Sequence, residues 1–148
     1  MSKYNLATND LVFARKGNVE RSALIPLTKT KYFLGSDGIC LRVITKNLLP
    51  QYLFYAIQSN TVRSFLIQNA YGTTMAGLNV KILSAIPLFL PVDIDEQSAI
   101  AETFSDIDRL ISSLQKLIEK KKAIKQGTMQ ELLTGKKRLP GFSGKRKR

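Results

Sequence analysis

The sequence contains no histidine and a single cysteine. Without histidine there is no imidazole base, no serine-histidine triad and no histidine metal ligand. One cysteine, Cys40, excludes an internal disulfide and any multi-thiolate metal site. Lying between Ile39 and Leu41, it reads as a small core residue. Carboxylates are also scarce, because Asp10, Glu20 and Asp37 are the only ones before Asp93 and none is near another in sequence. The phosphate-cradling patterns G-x-x-x-x-G-K-[ST] and G-x-G-x-x-G do not occur. Catalysis by this chain alone is therefore not expected, and neither is a cofactor within it. No 18-residue apolar run exists. The amino-terminal MSKYNLATND lacks the apolar core of a signal peptide, so a cytoplasmic protein with no membrane partner is expected.

What is abundant is positive charge: 23 basic residues against 11 acidic ones, a net +12. The excess is spread along the chain, at +7 for residues 1–92 (10 basic, 3 acidic) and +5 for residues 93–148 (13 basic, 8 acidic). A basic globular part favours a polyanionic partner, of which DNA and RNA are the commonest. A solvated basic surface is the plainer alternative.

The most ordered stretch of the sequence runs from Asp93 to Thr134 and contains no proline. Ile100, Phe104, Ile107, Ile111, Leu114 and Ile118 succeed one another at alternating steps of four and three. That spacing lays a narrow apolar seam along a helix, the pattern of a coiled coil. Leu110 and Leu117 widen the seam on one side. Acidic residues crowd the first half of the segment and lysines the second, which suits the helix dipole and an antiparallel partner helix. After Ile118 the next seam positions fall on lysines, and Ile124, Met129, Leu132 and Leu133 form a new apolar set out of phase. Either one helix with a soft point or two helices bent near Gly127 would fit, with Gly135 as the stop. The seam calls for a second helix; a helix packed on its own domain is the plainer alternative.

Before the helix, residues 11–15 have strand composition, Lys16–Gly17–Asn18 is a turn signal, and residues 19–27 read as the returning strand. This hairpin carries Arg15, Lys16, Asn18 and Arg21 at or near its tip, a set able to contact phosphates and base edges. A solvated turn on a basic protein is the alternative. Residues 32–34 and 39–44 read as two further strands around Gly35–Ser36–Asp37–Gly38. Pro50 opens a helix over QYLFYAIQS with Leu53, Phe54 and Ile57 inward. Thr61 caps a second helix, VRSFLIQNA, with Val62, Phe65 and Leu66 as its apolar side; these aromatics read as core. Residues 71–79 form a loop by composition. Its Thr73, Thr74 and Asn79 either meet phosphate and bases or cap neighbouring elements, and Lys81 follows in a short helix or strand. The segment IPLFLP is a stiff linker. The Gly-, Pro- and cation-rich end of the chain reads as a mobile tail suited to nonspecific phosphate contact.

Two segments, NDLVFARKGNVERSALIP and GTTMAGLNVKILSAIPLFLPVDIDEQSAIAETFSDIDRLISSLQKLIEKKKAIKQGTMQELLTGKKRLPGF, resemble the specificity subunit of bacterial type I restriction-modification systems. The combination of GTTMAGLN, a proline-bounded linker, EQSAIA, a long helix and ELLTGKKRL carries the likeness, which is densest from Gly72 to Phe142. In that family two target-recognition domains alternate with two long helices that pair antiparallel and act as a ruler between the halves of a bipartite DNA site. The resemblance implies an α+β chain divided into a partial target-recognition domain (1–91), a long spacer and dimerisation helix (92–135) and a basic tail (136–148). It also implies double-stranded DNA, a methyltransferase subunit, the motor-nuclease subunit reached through that complex, and a second copy or another specificity subunit as partners. S-adenosylmethionine would sit in the methyltransferase. The family's recognition domain is longer at its amino end, and LPGFSGK resembles the lead-in to a second one. A fragment or shortened half-subunit is therefore expected.

On this reading Arg15, Lys16, Asn18, Arg21, Thr73, Thr74, Asn79 and Lys81 contact DNA, and Ile100, Phe104, Ile107, Ile111, Leu114 and Ile118 carry dimerisation. A truncated interaction protein, which pairs with a full-length specificity subunit or a methyltransferase without reading DNA, is the alternative.

Overall fold

Strand β2 (Leu11–Ala14) is the strip on which the first part of the chain is assembled. Its alternation turns Leu11 and Phe13 into the core, leaving Val12 and Ala14 on the opposite face. The computed structural model describes residues 5–72 and 75–142. β2 is the middle of a three-stranded antiparallel sheet, between β3 (Ser22–Leu24) and β5 (Gly38–Leu41). The register sets Val12 opposite both Ala23 and Cys40, and Phe13 opposite Ser22 and Ile39. A second, two-stranded sheet pairs β1 (Asn5–Leu6) with β4 (Tyr32–Phe33).

The hairpin expected from the sequence is present, but its second strand is shorter than 19–27. Val19 leaves the ladder to enter the core, where it is 2% exposed. The two strands flanking the Gly35–Gly38 segment are also shorter than expected and do not pair with each other. β5 joins β2, while β4 joins β1. The alternating pattern identifies a strand but not its neighbour.

Helices α1 (Pro50–Ile57) and α2 (Asn60–Asn69) follow. Pro50 stands at the start of α1, where its missing N–H costs nothing. α1 buries Tyr52, Leu53 and Ile57, and Phe54 packs at the core's margin. The cap of α2 is Ser59 rather than Thr61, with the serine side chain accepting from the Val62 N–H. The helix begins one half-turn earlier than the sequence reading placed it. Val62 and Leu66 are buried as expected, and Phe65 lies against them. Leu78 and Leu83, the latter on α3 (Val80–Ser84), complete a core with Leu11, Phe13, Val19, Leu53, Ile57, Val62 and Leu66. At about 1.5–3 kcal/mol for each large side chain buried, this cluster is the main stabilising term.

α4 (Ile94–Leu133) is one continuous helix of 40 residues, about 60 Å at 1.5 Å per residue, and passes through Gly127 without a break. Asp93 starts it, its carboxylate accepting from the Asp95 N–H at 2.9 Å. Gly135 stops it in the left-handed region (φ +67). The Gly135 N–H donates to the Leu132 carbonyl, and that of Lys137 reaches back to Glu131.

The chain forms two compact units, one ending at Phe104 and the other beginning at Ser105. The first three turns of α4 therefore belong with the small domain. Gln97 shows how they are held: fully buried, it accepts from the Leu49 N–H (2.9 Å) and donates to the carbonyls of Asn47 (3.0 Å) and Pro91 (2.8 Å). Tyr52 secures the linker by donating to the Phe89 carbonyl at 2.6 Å. Burial, with a smaller contribution from the Glu96 charge, pushes its phenol pKa up. The Phe104 ring lies 5.4 Å from that of Tyr55 on α1.

Candidate nucleic-acid interface

The turn after β2 and the loop before α3, which the sequence presents 60 residues apart, are stitched together by the backbone. Lys16 and Gly77 form an antiparallel bridge, as do Tyr71 and Gly77. The Gly17 N–H donates to Ala76 (2.9 Å) and the Leu78 N–H donates to Arg15 (2.8 Å). A third segment joins them, because the Arg15 N–H donates to the Asp37 carbonyl at 2.8 Å. Position 77, at the closest approach, is a buried glycine. A Cβ there would lie 2.7 Å from Cζ of Tyr71.

Arg15, Lys16, Asn18 and Arg21 are all exposed around this junction. The Lys16 ammonium lies 3.7 Å from the Asp37 carboxylate, with both groups largely in solvent. An exposed pair of this kind contributes little to stability and leaves the cation available to another anion. Arg21 borders a shallow depression of about 530 Å³ on the sheet face away from the helices, floored by Val12, Ala14, Ala23 and Gly38. Ser22 is in its wall, and its buried hydroxyl oxygen has no hydrogen-bond partner.

Asn79 and Lys81 have different positions. The Asn79 side chain caps α3, accepting from the Ile82 N–H at 2.9 Å. Its acceptor thus fulfils the capping alternative. Lys81 is exposed on α3. Thr73 and Thr74 lie outside the described residues. Sequence reasoning missed Asp37, whose carbonyl and carboxylate both touch the basic turn; a lone aspartate in a Gly-Ser-Asp-Gly turn carries no signal of that contact.

At the other end of the sheet Asp10 is 1% exposed and accepts three charge-assisted or backbone bonds: Arg42 Nε (2.7 Å), Arg42 Nη2 (2.6 Å) and the Ala7 N–H (2.7 Å). The Arg42 guanidinium holds this carboxyl below the usual range, against the opposing effect of burial. Cys40, near the same pair, has its thiol pushed up by burial and by the Asp10 charge, as suits an inert cysteine. Among the described residues no group of three or more Cys, Asp or Glu could hold a metal ion, and no helix is long and apolar enough to cross a membrane.

The seam of α4 is the second candidate surface. Ile107, Leu110, Ile111, Leu114, Leu117 and Ile118 are each between 46% and 60% exposed. Ile100 is half-buried, and Phe104 shares its ring with Tyr55 while remaining 47% exposed.

A small α+β domain thus carries a braced basic turn and is continued by a helix with an exposed apolar seam. The family model described as "Type I restriction modification DNA specificity domain" matches residues 1–126. The chain belongs to the family of type I restriction-modification specificity subunits. It is 35% identical over 108 residues to the type I restriction enzyme MjaVIII specificity subunit of Methanocaldococcus jannaschii, covering 69% of this chain and 25% of that protein. It is 26% identical over 140 residues to the putative MjaX specificity subunit of the same organism, covering 90% of this chain and 32% of that protein. The crystal structure of a type I restriction-modification S subunit from M. genitalium superposes with a TM-score of 0.69 at 22% identity, over 88% of this chain and 34% of that one. The fold is therefore shared, and the chain spans a quarter to a third of the length of these relatives.

Proposed function

We propose that this chain is the DNA-reading half of a type I specificity subunit, acting in the cytoplasm without catalysis of its own. One observation carries the reading. The exposed cations of the turn after β2 are fixed by main-chain hydrogen bonds to the loop before α3, so that a positive surface stands on a rigid frame. Lys16, Arg15 and Arg21 are suited to phosphates or guanine edges, Asn18 to a base edge, and Lys81 to the flanking backbone. Thr73 and Thr74 remain candidates on sequence grounds.

The exposed seam supports dimerisation through α4. Two identical readers related by a twofold axis require an interrupted palindromic target. The same helices are proposed to dock methyltransferase subunits, which hold S-adenosylmethionine, and through them the motor-nuclease subunit. The domain limits 1–91, 92–135 and 136–148 are kept as functional divisions.

The test is the light-scattering mass of the purified chain, alone and with its methyltransferase, followed by binding to a library of interrupted palindromes. A dimer that recruits two methyltransferases and selects a bipartite site is expected. A monomer that recruits none would remove the reading. A second reading, an interaction protein that pairs without reading DNA, is favoured by one observation: Asn79 spends its acceptor on a helix cap. Loss of DNA binding with retained pairing in the Arg15→Ala, Arg21→Ala variant would decide for the reader.

A further inference from the structure

Of the three carboxylates before Asp93, Asp10 is buried against Arg42 and Glu20 is half-buried. Asp37 stands well out in solvent, and it does so among the cations of the basic turn. Phosphate contact does not explain a carboxylate at that place, because it repels phosphate and weakens the positive field around it. We propose that Lys16 and Asp37 together read one G·C base pair in the major groove. Lys16 donates to guanine O6, and Asp37 accepts from cytosine N4. This deepens the DNA-reading function given above and rests on it.

The Lys16 Nζ and an Asp37 carboxylate oxygen lie 3.7 Å apart, and each side chain is more than half exposed. Guanine O6 and cytosine N4 are partners within the base pair, a hydrogen-bond length apart, and show the groove one acceptor beside one donor. A donor and an acceptor held side by side match that pattern. The main chain at both residues is fixed, because Lys16 bridges Gly77 and the Asp37 carbonyl accepts from the Arg15 N–H at 2.8 Å. Two free side chains therefore stand on a rigid base. Exchanging their mutual contact for contacts to bases gives up little, since an exposed ion pair contributes little to stability. Asp37 also borders the shallow depression floored by Val12, Ala14, Ala23 and Gly38, where no long side chain crowds an approaching base edge.

An A·T pair fits this couple less well. Adenine N6 lies between two acceptors, its own N7 and thymine O4, so a carboxylate there is repelled from both sides. One lysine answers only one of those acceptors. Cytosine N4 has an acceptor on one side, guanine O6, and Lys16 is placed to meet it.

The test is selection of duplexes from a randomised library by the full chain, followed by competition binding. The parent is expected to select a site with a G·C pair at one position that both Asp37→Ala and Lys16→Ala relax. Each variant should lower the preference at that position about tenfold and leave the other positions unchanged. Replacing the cytosine there by N4-methylcytosine, which removes the amino proton facing the groove, should weaken the parent about tenfold and leave Asp37→Ala unaffected. If alanine lowers the melting temperature, Asp37→Asn, which keeps the side chain's shape, takes its place. Asp37→Ala binding every sequence more tightly by the same factor would show that the carboxylate only tempers the positive surface. That result, or relaxation of different positions by the two variants, overturns the base-pair assignment and leaves the DNA-reading function standing. A parent that binds no DNA, or binds it without preference, would overturn both.

Discussion

Lys16 stands opposite Gly77 in an antiparallel bridge, and that single pairing brings the basic turn and the loop before α3 into one surface. A Cβ at 77 would meet the Tyr71 ring at 2.7–3.0 Å. Tyr71 is 46% exposed, and its ring would have to swing outward to admit a side chain at 77. Gly77→Val is expected to cost about 1–3 kcal/mol by overpacking. It should also weaken DNA binding more than its stability loss explains, measured by urea unfolding and by fluorescence anisotropy on the same samples. Undiminished DNA affinity would separate the bridge from recognition.

Arg15 and Arg21 are expected to act through charge. Replacing both by alanine removes two exposed cations and touches none of the buried core. If both meet phosphates, the slope of log affinity against log salt becomes shallower by about 2. Binding isotherms from low to physiological salt measure this, and the melting temperature should stay within a degree or two. An unchanged slope would place the DNA elsewhere.

Much of this site was legible in the sequence, but as separate pieces. The turn, the cations and the glycine-rich loop could each be read from composition, whereas their junction could not, because a main-chain bridge between Lys16 and Gly77 leaves no pattern in side-chain type. The same limit explains the strands around Gly35–Gly38, whose alternation is visible and whose partners are not. Helix α4 is legible as far as Ile118, where its period repeats; beyond that the pattern slips and leaves a bend near Gly127 open, and the helix runs through it unbroken. The sequence reading places the cap of α2 at Thr61, whereas Ser59, two residues earlier, caps it by accepting from the Val62 N–H.

Asp10 makes the fold acid-sensitive. Its pKa is held below 3.8 chiefly by Arg42, so its contribution to stability is fully present above the unfolded value. That contribution is lost as the pH falls through the depressed folded value. Asp10→Asn should be less stable than the parent at pH 7, with the gap narrowing below about pH 4. Thermal unfolding at a series of pH values measures it. A gap independent of pH would show that packing, not charge, dominates at this site.

The seam offers a change that spares the small domain. Ile111 is half-exposed and lies in the unit beginning at Ser105. Ile111→Lys buries a charge in any helix pair formed there, an expected loss of at least a hundredfold in dimer affinity, or about 2.7 kcal/mol. Analytical ultracentrifugation should then find a monomer with an unchanged unfolding midpoint for the small domain. A dimer of parental affinity would remove the seam from the assembly.

Gln97 ties the start of α4 to the domain, and its amide is the only neutral side-chain group that fits the three partners around it. The Leu49 N–H needs an acceptor, while the Asn47 and Pro91 carbonyls need donors. Gln97→Ala leaves all three without a partner, at about 1–3 kcal/mol for each group that water cannot reach. Gln97→Glu preserves the acceptor but points a carboxylate at two carbonyls, so burial and the missing donor raise its pKa in the folded state. A raised folded value gives stability that is present at low pH and lost as the pH rises. The glutamate variant should therefore recover relative to the parent between pH 7.5 and pH 5, while the alanine variant should not. Parallel urea titrations at the two pH values measure this, and a glutamate variant indifferent to pH would show that its carboxylate escapes the buried site.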